Sequence, residues 1–282
     1  KAIEKVLGVT FYALWGEFKE DTTRRFEAQA RRIRARGLRQ GRRLTFSGET
    51  TRYPFWSRDD AYIYFYKEDG HRDEGIKRIR ATGGRIREGV GIGRQGADVD
   101  LQNVFEMEDP GEANFVGATD DIIFGQTGVY DYRYRWSDLW RWNGGDPRGA
   151  EQLTFGLRAS EPDVSPDGRT VVFRRNDVAQ SRLAFLELDT GDVRELPPFD
   201  RLSQVYTPRW SPDGERVAFS GFVEGGYRDI YVYELASGQT QRVTADRNID
   251  MSPSWSPDGR YVVFGSDRDD VYNIYAWDTE SE

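Results

Sequence analysis

At 282 residues, with 48 acidic and 40 basic side chains, the chain carries a formal net charge of −8 and a pI near 5.0. That balance argues against a general nucleic-acid binder, which needs clustered cationic surface to neutralise phosphates. The lack of cysteine excludes disulfides and thiol chemistry, and no apolar run approaches the roughly 18 residues that span a bilayer.

From the amino terminus, residues 1–40 read as a helical segment. Phe11, Leu14, Trp15 and Phe18 fall at i, i+3, i+4 and i+7, the spacing of one helix face, and Thr10 is placed as the N-cap. Phe26, Ala30 and Ile33 continue a stripe on a second helical stretch that Gly37 ends. Nine arginines lie between Arg24 and Arg43, and the bland reading of that run is a solvated helix face, partly paired with Glu17, Glu20 and Asp21. The chain opens at Lys1 without a Met or a charged-then-apolar leader and stops after a third strand, so it reads as a piece of a longer polypeptide.

Residues 41–282 read as repeats. The phrase Trp210-Ser211-Pro212-Asp213-Gly214 returns as Trp255-Ser256-Pro257-Asp258-Gly259 and, before both, as Val164-Ser165-Pro166-Asp167-Gly168, with the central prolines 46 and 45 residues apart. Strand-like filling at a period near 45 predicts the blades of a β-propeller. Each phrase has a Pro two positions before the Trp or its substitute (Pro162, Pro208, Pro253) and is followed by a short apolar strand ending in Phe173, Phe219 or Phe264. Tyr53-Pro54-Phe55-Trp56-Ser57-Arg58-Asp59-Asp60 is an earlier copy with Arg for Pro and Asp for Gly, while Thr119-Asp120-Asp121 with Ile122-Ile123-Phe124 keeps only the turn acids and the strand. Third strands such as Asp229-Ile230-Tyr231-Val232-Tyr233 follow, and Leu153-Thr154 and Val243-Thr244 close a fourth. The expected fold is all-β: a propeller of four-stranded antiparallel blades, five visible and a sixth admitted only if it comes from outside the chain or from an irregular insertion at about 85–114. Arg43-Leu44-Thr45 resembles a fourth strand without its first three, and it would latch the ring if it joined the last, three-stranded repeat.

The repeated phrase is structural. Pro presets φ at the second turn position, Asp bonds the backbone ahead of it, and Gly accepts positive φ where the chain reverses. The Trp fills the space where one twisted blade packs on the next.

Catalytic sets are missing. His71 is the single histidine, no G-x-S-x-G elbow occurs, and Ser266 lacks a flanking glycine, so a Ser-His-Asp triad has no basis. Gly91-Ile92-Gly93-Arg94-Gln95-Gly96 has the form of GxGxxG but no βαβ surroundings, and it reads as a surface loop. Carboxylate groupings occur at Asp267, Asp269 and Asp270 and at Asp98 and Asp100; a hard cation such as calcium takes several oxygens from such loops, but no EF-type spacing is present, so calcium is admitted and no cofactor is expected. The remaining site argument is geometric, since propellers meet ligands at the mouth of the central channel. The innermost strands place Tyr53, Glu161, Thr207, Asp250 and Ser252 near that mouth, a chemically mixed set that suits binding rather than reaction.

The Pro-x-Trp-Ser-Pro-Asp-Gly phrase, the Phe-ended strand, Asp229-Ile230-Tyr231 and Arg242-Val243-Thr244 resemble the repeats of TolB-like β-propellers over roughly residues 43–280. The resemblance implies a six-bladed, WD-repeat-like ring in the Gram-negative periplasm or cell envelope, working through protein contacts. It also covers the substrate-gating propellers that precede the hydrolase domain of prolyl-oligopeptidase-like peptidases, and a few sugar lyases, which the single histidine disfavours. Lys1 to Gly37 is similar to the tail of gluzincin-type metallopeptidase domains, whose paired-histidine helix is not in this sequence. The expectation is therefore a non-catalytic monomeric binding module for a protein or peptide, with no nucleic acid and no membrane span.

Overall fold

The computed structural model describes residues 8–35, 37, 41–46, 50–68, 74–84, 86–87, 97–98, 100–106, 110–117, 119–144, 149–223, 225–269 and 271–281. His71 and the Gly91–Gly96 loop lie outside them. Two compact units are present, Lys1–Arg43 and Leu44–Glu282.

Among the described residues the first unit holds one helix, α1 (Phe11–Ala35), where the sequence suggests two over the same stretch. The polar stretch Asp21-Thr22-Thr23 that separates the two apolar stripes costs only tenths of a kcal/mol per residue in helix propensity, so the turns run through it. The Thr10 hydroxyl accepts the Ala13 amide at 3.1 Å as an N-cap. None of the helix's residues is buried, and Trp15 stacks on Phe18 at 5.4 Å on an exposed face.

The second unit is a run of antiparallel blades. Blade one is β1 (Thr50–Trp56), β2 (Tyr62–Glu68) and β3 (Gly75–Arg80), followed by a two-stranded hairpin of β4 (Ile86–Arg87) and β5 (Ala97–Asp98), and then the outer strand β6 (Gln102–Glu106). Blade two is β7 (Pro110–Phe115), β8 (Ile122–Tyr130), β9 (Tyr134–Trp142) and β10 (Ala150–Gln152). Blade three is β11 (Ala159–Val164), β12 (Thr170–Asn176), β13 (Ser181–Glu187) and β14 (Val193–Glu195). Blade four is β15 (Gln204–Trp210), β16 (Arg216–Phe222), β17 (Arg228–Glu234) and β18 (Thr240–Arg242). Blade five has three strands, β19 (Asp250–Trp255), β20 (Tyr261–Ser266) and β21 (Asn273–Asp278).

Two expectations are corrected. The stretch read as an irregular insertion supplies both β6 and β7, so it yields blade one's outer strand and blade two's inner strand rather than a sixth blade. Its weak alternation hid strands whose burial comes from neighbouring blades. Arg43-Leu44-Thr45 does not latch the last blade either: residues 41–46 are irregular and β21 is the edge of its sheet.

The core sits between blades. Strand alternation sends Ile76, Leu139, Leu183 and Ile230, at one register position of the third strands, towards the following blade, where each is at most 4% exposed. There they meet Phe124, Phe173, Phe219 and Phe264 of the second strands of the blades that follow, strands that run on past each Phe where the sequence suggests they end. Trp210 seats on Phe185 of the preceding blade at 5.7 Å, edge to face, and the Trp255 indole N–H donates to the Arg209 carbonyl at 3.1 Å.

The turns repeat atom for atom. Ser165 donates to Asp167 at 2.6 Å, Asp167 accepts the Arg169 amide at 3.1 Å, and the Ser165 hydroxyl accepts the Thr170 amide at 2.9 Å. Ser57, Ser211 and Ser256 head the same three bonds in their turns. Ser165 therefore holds Asp167 below the usual carboxylate range, and Ser57 and Ser256 do the same for Asp59 and Asp258.

Candidate functional site

Every innermost strand breaks register at the same place. The ladder shifts between Arg52 and Phe55, Pro110 and Ala113, Ser160 and Asp163, Tyr206 and Arg209, and Met251 and Ser254. In four of the five blades a proline sits in this bulge, where its missing N–H leaves no ladder bond unmade. The residue before that proline takes left-handed φ: Tyr53 54°, Glu161 55°, Thr207 47° and Ser252 54°. None is glycine, so each bulge stores strain of order 1 kcal/mol.

The bulges redirect main-chain N–H groups out of their own sheets and towards the neighbouring blade. Glu161 accepts the Thr207 amide, and Asp163 accepts the Trp210 amide at 2.7 Å. Asn114 donates to the other oxygen of Asp163, and Arg209 pairs with Glu112 while donating to the Pro208 carbonyl at 2.8 Å. Arg174 reaches Glu161 at 3.1 Å. Three blades are thus tied across their inner strands by one network of charged groups.

Burial drives the Asp163 carboxyl up to about 6, against the pull of Arg209, the Trp210 amide and Asn114. Burial also works against the Arg209 charge, but Glu112 and Asp163 outweigh it and raise the guanidinium above its ordinary value.

Beside this network lies a cavity of about 310 Å³ lined by Tyr53, Phe55, Glu112, Asn114, Pro162 and Arg209, which come from the inner strands of blades one to four. Of the residues expected at the channel mouth, Tyr53 lines this cavity, and Glu161 and Thr207 bond each other within the adjoining network. The Thr207 hydroxyl is buried without a hydrogen-bond partner. Ser252 is exposed on blade five, and Asp250 is fully buried and bonded to Arg268. Arg209, Glu112 and Asn114 were missed. Arg209 is the variable residue of Pro-x-Trp, and Glu112 and Asn114 share register with Glu161 and Asp163, so the signal existed once β7 was aligned.

The carboxylates of Asp229, Asp246 and Asp250 approach within 4.8 Å of one another. Arg242 pairs with Asp229, and Arg268 pairs with both Asp246 and Asp250, so the cluster reads as an ion-pair network. Of the acids grouped in the sequence, Asp267 accepts the Ile249 amide at 2.7 Å and Asp269 accepts the Tyr275 hydroxyl at 2.9 Å; Asp270 and the Asp98 side chain lie outside the described residues.

Residues 157–282, blades three to five, match the family model described as the TolB β-propeller domain. Blades three to five are thus TolB-like blades. The matched segment is the one in which all three turns keep Ser-Pro-Asp-Gly, whereas blades one and two, outside it, carry Arg58 and Asp60 or lose the phrase. Among curated relatives, the Tol-Pal system protein TolB of Alkalilimnicola ehrlichii is 39% identical over 78 residues, 28% of this chain and 18% of that protein. An uncharacterized peptidase, YuxL, of Bacillus subtilis is 27% identical over 101 residues, 34% of this chain and 15% of that protein. The chain thus spans less than a fifth of either relative's length. Among solved structures, a putative TolB from Agrobacterium tumefaciens superposes with a TM-score of 0.60 at 19% identity, covering 88% of this chain and 83% of that one, which shows a shared fold.

Proposed function

We propose that this TolB-like propeller is a non-catalytic binding module that takes a protein or peptide segment at its inner-strand cavity, in the bacterial cell envelope. The observation that carries the reading is the cavity's chemistry. Tyr53, Pro54, Phe55, Ala113 and Pro162 offer apolar surface, while the Arg209 charge is met by Glu112 and Asp163. A site whose charges are matched internally favours neither a polyanion nor a polycation, and about 310 Å³ accommodates one or two side chains of an extended segment. No histidine or cysteine stands among the lining residues to activate a nucleophile. The relatives named TolB support the envelope setting. No helix among the described residues is long and apolar enough to cross a membrane.

The test is a pull-down from envelope extract with the chain and with Tyr53→Ser and Arg209→Ala variants, each checked for an intact circular dichroism spectrum. A partner retained by the parent and lost at least about tenfold by both variants is the expected result. An identical retained set from all three would sink the reading.

A second reading, an accessory propeller that gates substrate for a larger peptidase, is favoured by the relative named as a peptidase. Peptidase assay of the complete polypeptide encoded by the gene separates the two: turnover that needs a domain outside this chain supports the second, and binding without turnover supports the first.

A further inference from the structure

The interface between blades one and two differs from that between blades three and four at two matched positions. In the latter, Val172 pairs with Phe185 and Val217 with Trp210, and the two rings close the interface edge to face. Tyr64 precedes Phe65 as Val172 precedes Phe173, and it pairs with Arg78; Ile122 precedes Phe124 as Val217 precedes Phe219, and it pairs with Phe115. A guanidinium thus stands in the place of the phenyl ring, and a phenyl ring in the place of the indole. A cavity of about 270 Å³ is left there, walled by Tyr64, Val104, Phe115 and Trp142. Arg78 and Asp120, the latter exposed in the turn between β7 and β8, also line it. These opposite charges form no ion pair, either with each other or with another described side chain. Arg78 donates from Nε to Gln102 at 2.8 Å and from one terminal nitrogen to the Tyr64 hydroxyl at 3.0 Å, with its guanidinium over the Tyr62 ring at 4.7 Å. Its other terminal nitrogen has no bond to a described residue.

We propose that this cavity is a binding site for a small zwitterion, a free α-amino acid with an apolar side chain. It shares no lining residue with the inner-strand cavity, so it is a second site that stands apart from the binding reading given above. The charges decide the class of ligand. A simple anion would be drawn to Arg78 and repelled by Asp120, and a simple cation the reverse, whereas a zwitterion answers both. Arg78 offers a carboxylate the guanidinium N–H groups that Gln102 and Tyr64 leave free. Asp120 accepts hydrogen bonds from an ammonium group. The side chain of the ligand packs on Phe115 and Trp142, where the other interface places its own indole. The volume lies at the lower end of small-molecule sites, which suits one amino acid and excludes a folded partner.

The test is calorimetric titration of the whole chain with L-phenylalanine, and with 3-phenylpropionate and 2-phenylethylamine, which keep the ring but lack the ammonium or the carboxylate. The proposal expects a Kd of about 1 mM or tighter for L-phenylalanine and binding at least about tenfold weaker for both analogues. Asp120→Asn, a change at an exposed residue that leaves the fold intact, should weaken L-phenylalanine at least about tenfold and bind 3-phenylpropionate no worse than the parent does. Phe115→Trp puts the indole of the other blades into the cavity and should abolish binding with the circular dichroism spectrum unchanged. The proposal is overturned if the parent gives no saturable heat with L-phenylalanine up to about 10 mM. It is also overturned if 3-phenylpropionate or 2-phenylethylamine binds as tightly as the amino acid, or if Asp120→Asn leaves the affinity for L-phenylalanine unchanged.

Discussion

Single residues show where the repeat is under strain. Asp60 occupies the glycine position of the first turn at a φ of 55°, the conformation that Gly168, Gly214 and Gly259 adopt at 71 to 74° without a Cβ to accommodate. Asp60→Gly is therefore expected to stabilise the chain by about 1 kcal/mol, read as a raised urea midpoint. The reverse holds at Gly168, where a Cβ would lie 2.6 Å from the Gly117 Cα in addition to the unfavourable φ of 74°. Gly168→Ala should cost about 2 kcal/mol or more. Asp163 sets a pH dependence. Its carboxyl is held at about 6 in the folded chain, above its ordinary 3.8, so folding takes up a proton as pH falls through that window. Stability tied to this group is present at pH 4 and lost as pH rises through 6. Comparison of wild type with Asp163→Asn by thermal unfolding should show wild type gaining relative to the variant from pH 6.5 down to 4.5. The turn aspartates, held below 3.8, act in the opposite sense and only at lower pH.

At the scale of the element, the third and fourth strands are joined by a buried staple. The Thr154 hydroxyl accepts the Leu139 amide at 2.8 Å and donates to Asp138 at 2.9 Å, and Asp138 also accepts the Gly156 and Leu157 amides that lead into blade three. Thr244, Ile230 and Asp229 repeat the arrangement in blade four. Thr154→Val keeps the shape but strands a buried N–H and part of a carboxylate, and should lower stability by about 2 kcal/mol, measured by urea unfolding. This staple was visible in the sequence only as a recurring Leu-Thr or Val-Thr, whose purpose lies in an amide 15 or 14 residues away. The bulges of the inner strands were not visible at all, since a register shift depends on which residue of the next strand stands opposite.

For the whole molecule, the same motif residue carries different weight according to its place in the array. Trp210 is 8% exposed against the preceding blade, and Trp56, its counterpart in blade one, is 56% exposed. Trp210→Ala should cost about 3 to 5 kcal/mol and Trp56→Ala about 1 kcal/mol or less, a contrast that chemical denaturation of the two variants will check. Because each blade buries its core against its neighbours, stability accumulates at interfaces. The amides of β17, covered on both sides, should accordingly outlast those of β21 in hydrogen exchange.

The sequence by itself determined what is local and periodic: the hydrogen-bonded Ser-Pro-Asp-Gly turn, the apolar second strand that carries Phe, the blade repeat and the helix around Phe11 and Trp15. These depend on dihedral preferences and on apolar spacing within a few residues, which the chain displays without folding. Tertiary structure decided what depends on neighbours. It drew β6 and β7 out of a stretch with weak alternation, left Arg43-Leu44-Thr45 outside the last sheet, and gathered Glu112, Asp163 and Arg209 from three blades. It also buried Ile230 and exposed Ile274, two residues alike in sequence, because burial is set by the next blade and not by the strand that carries the side chain.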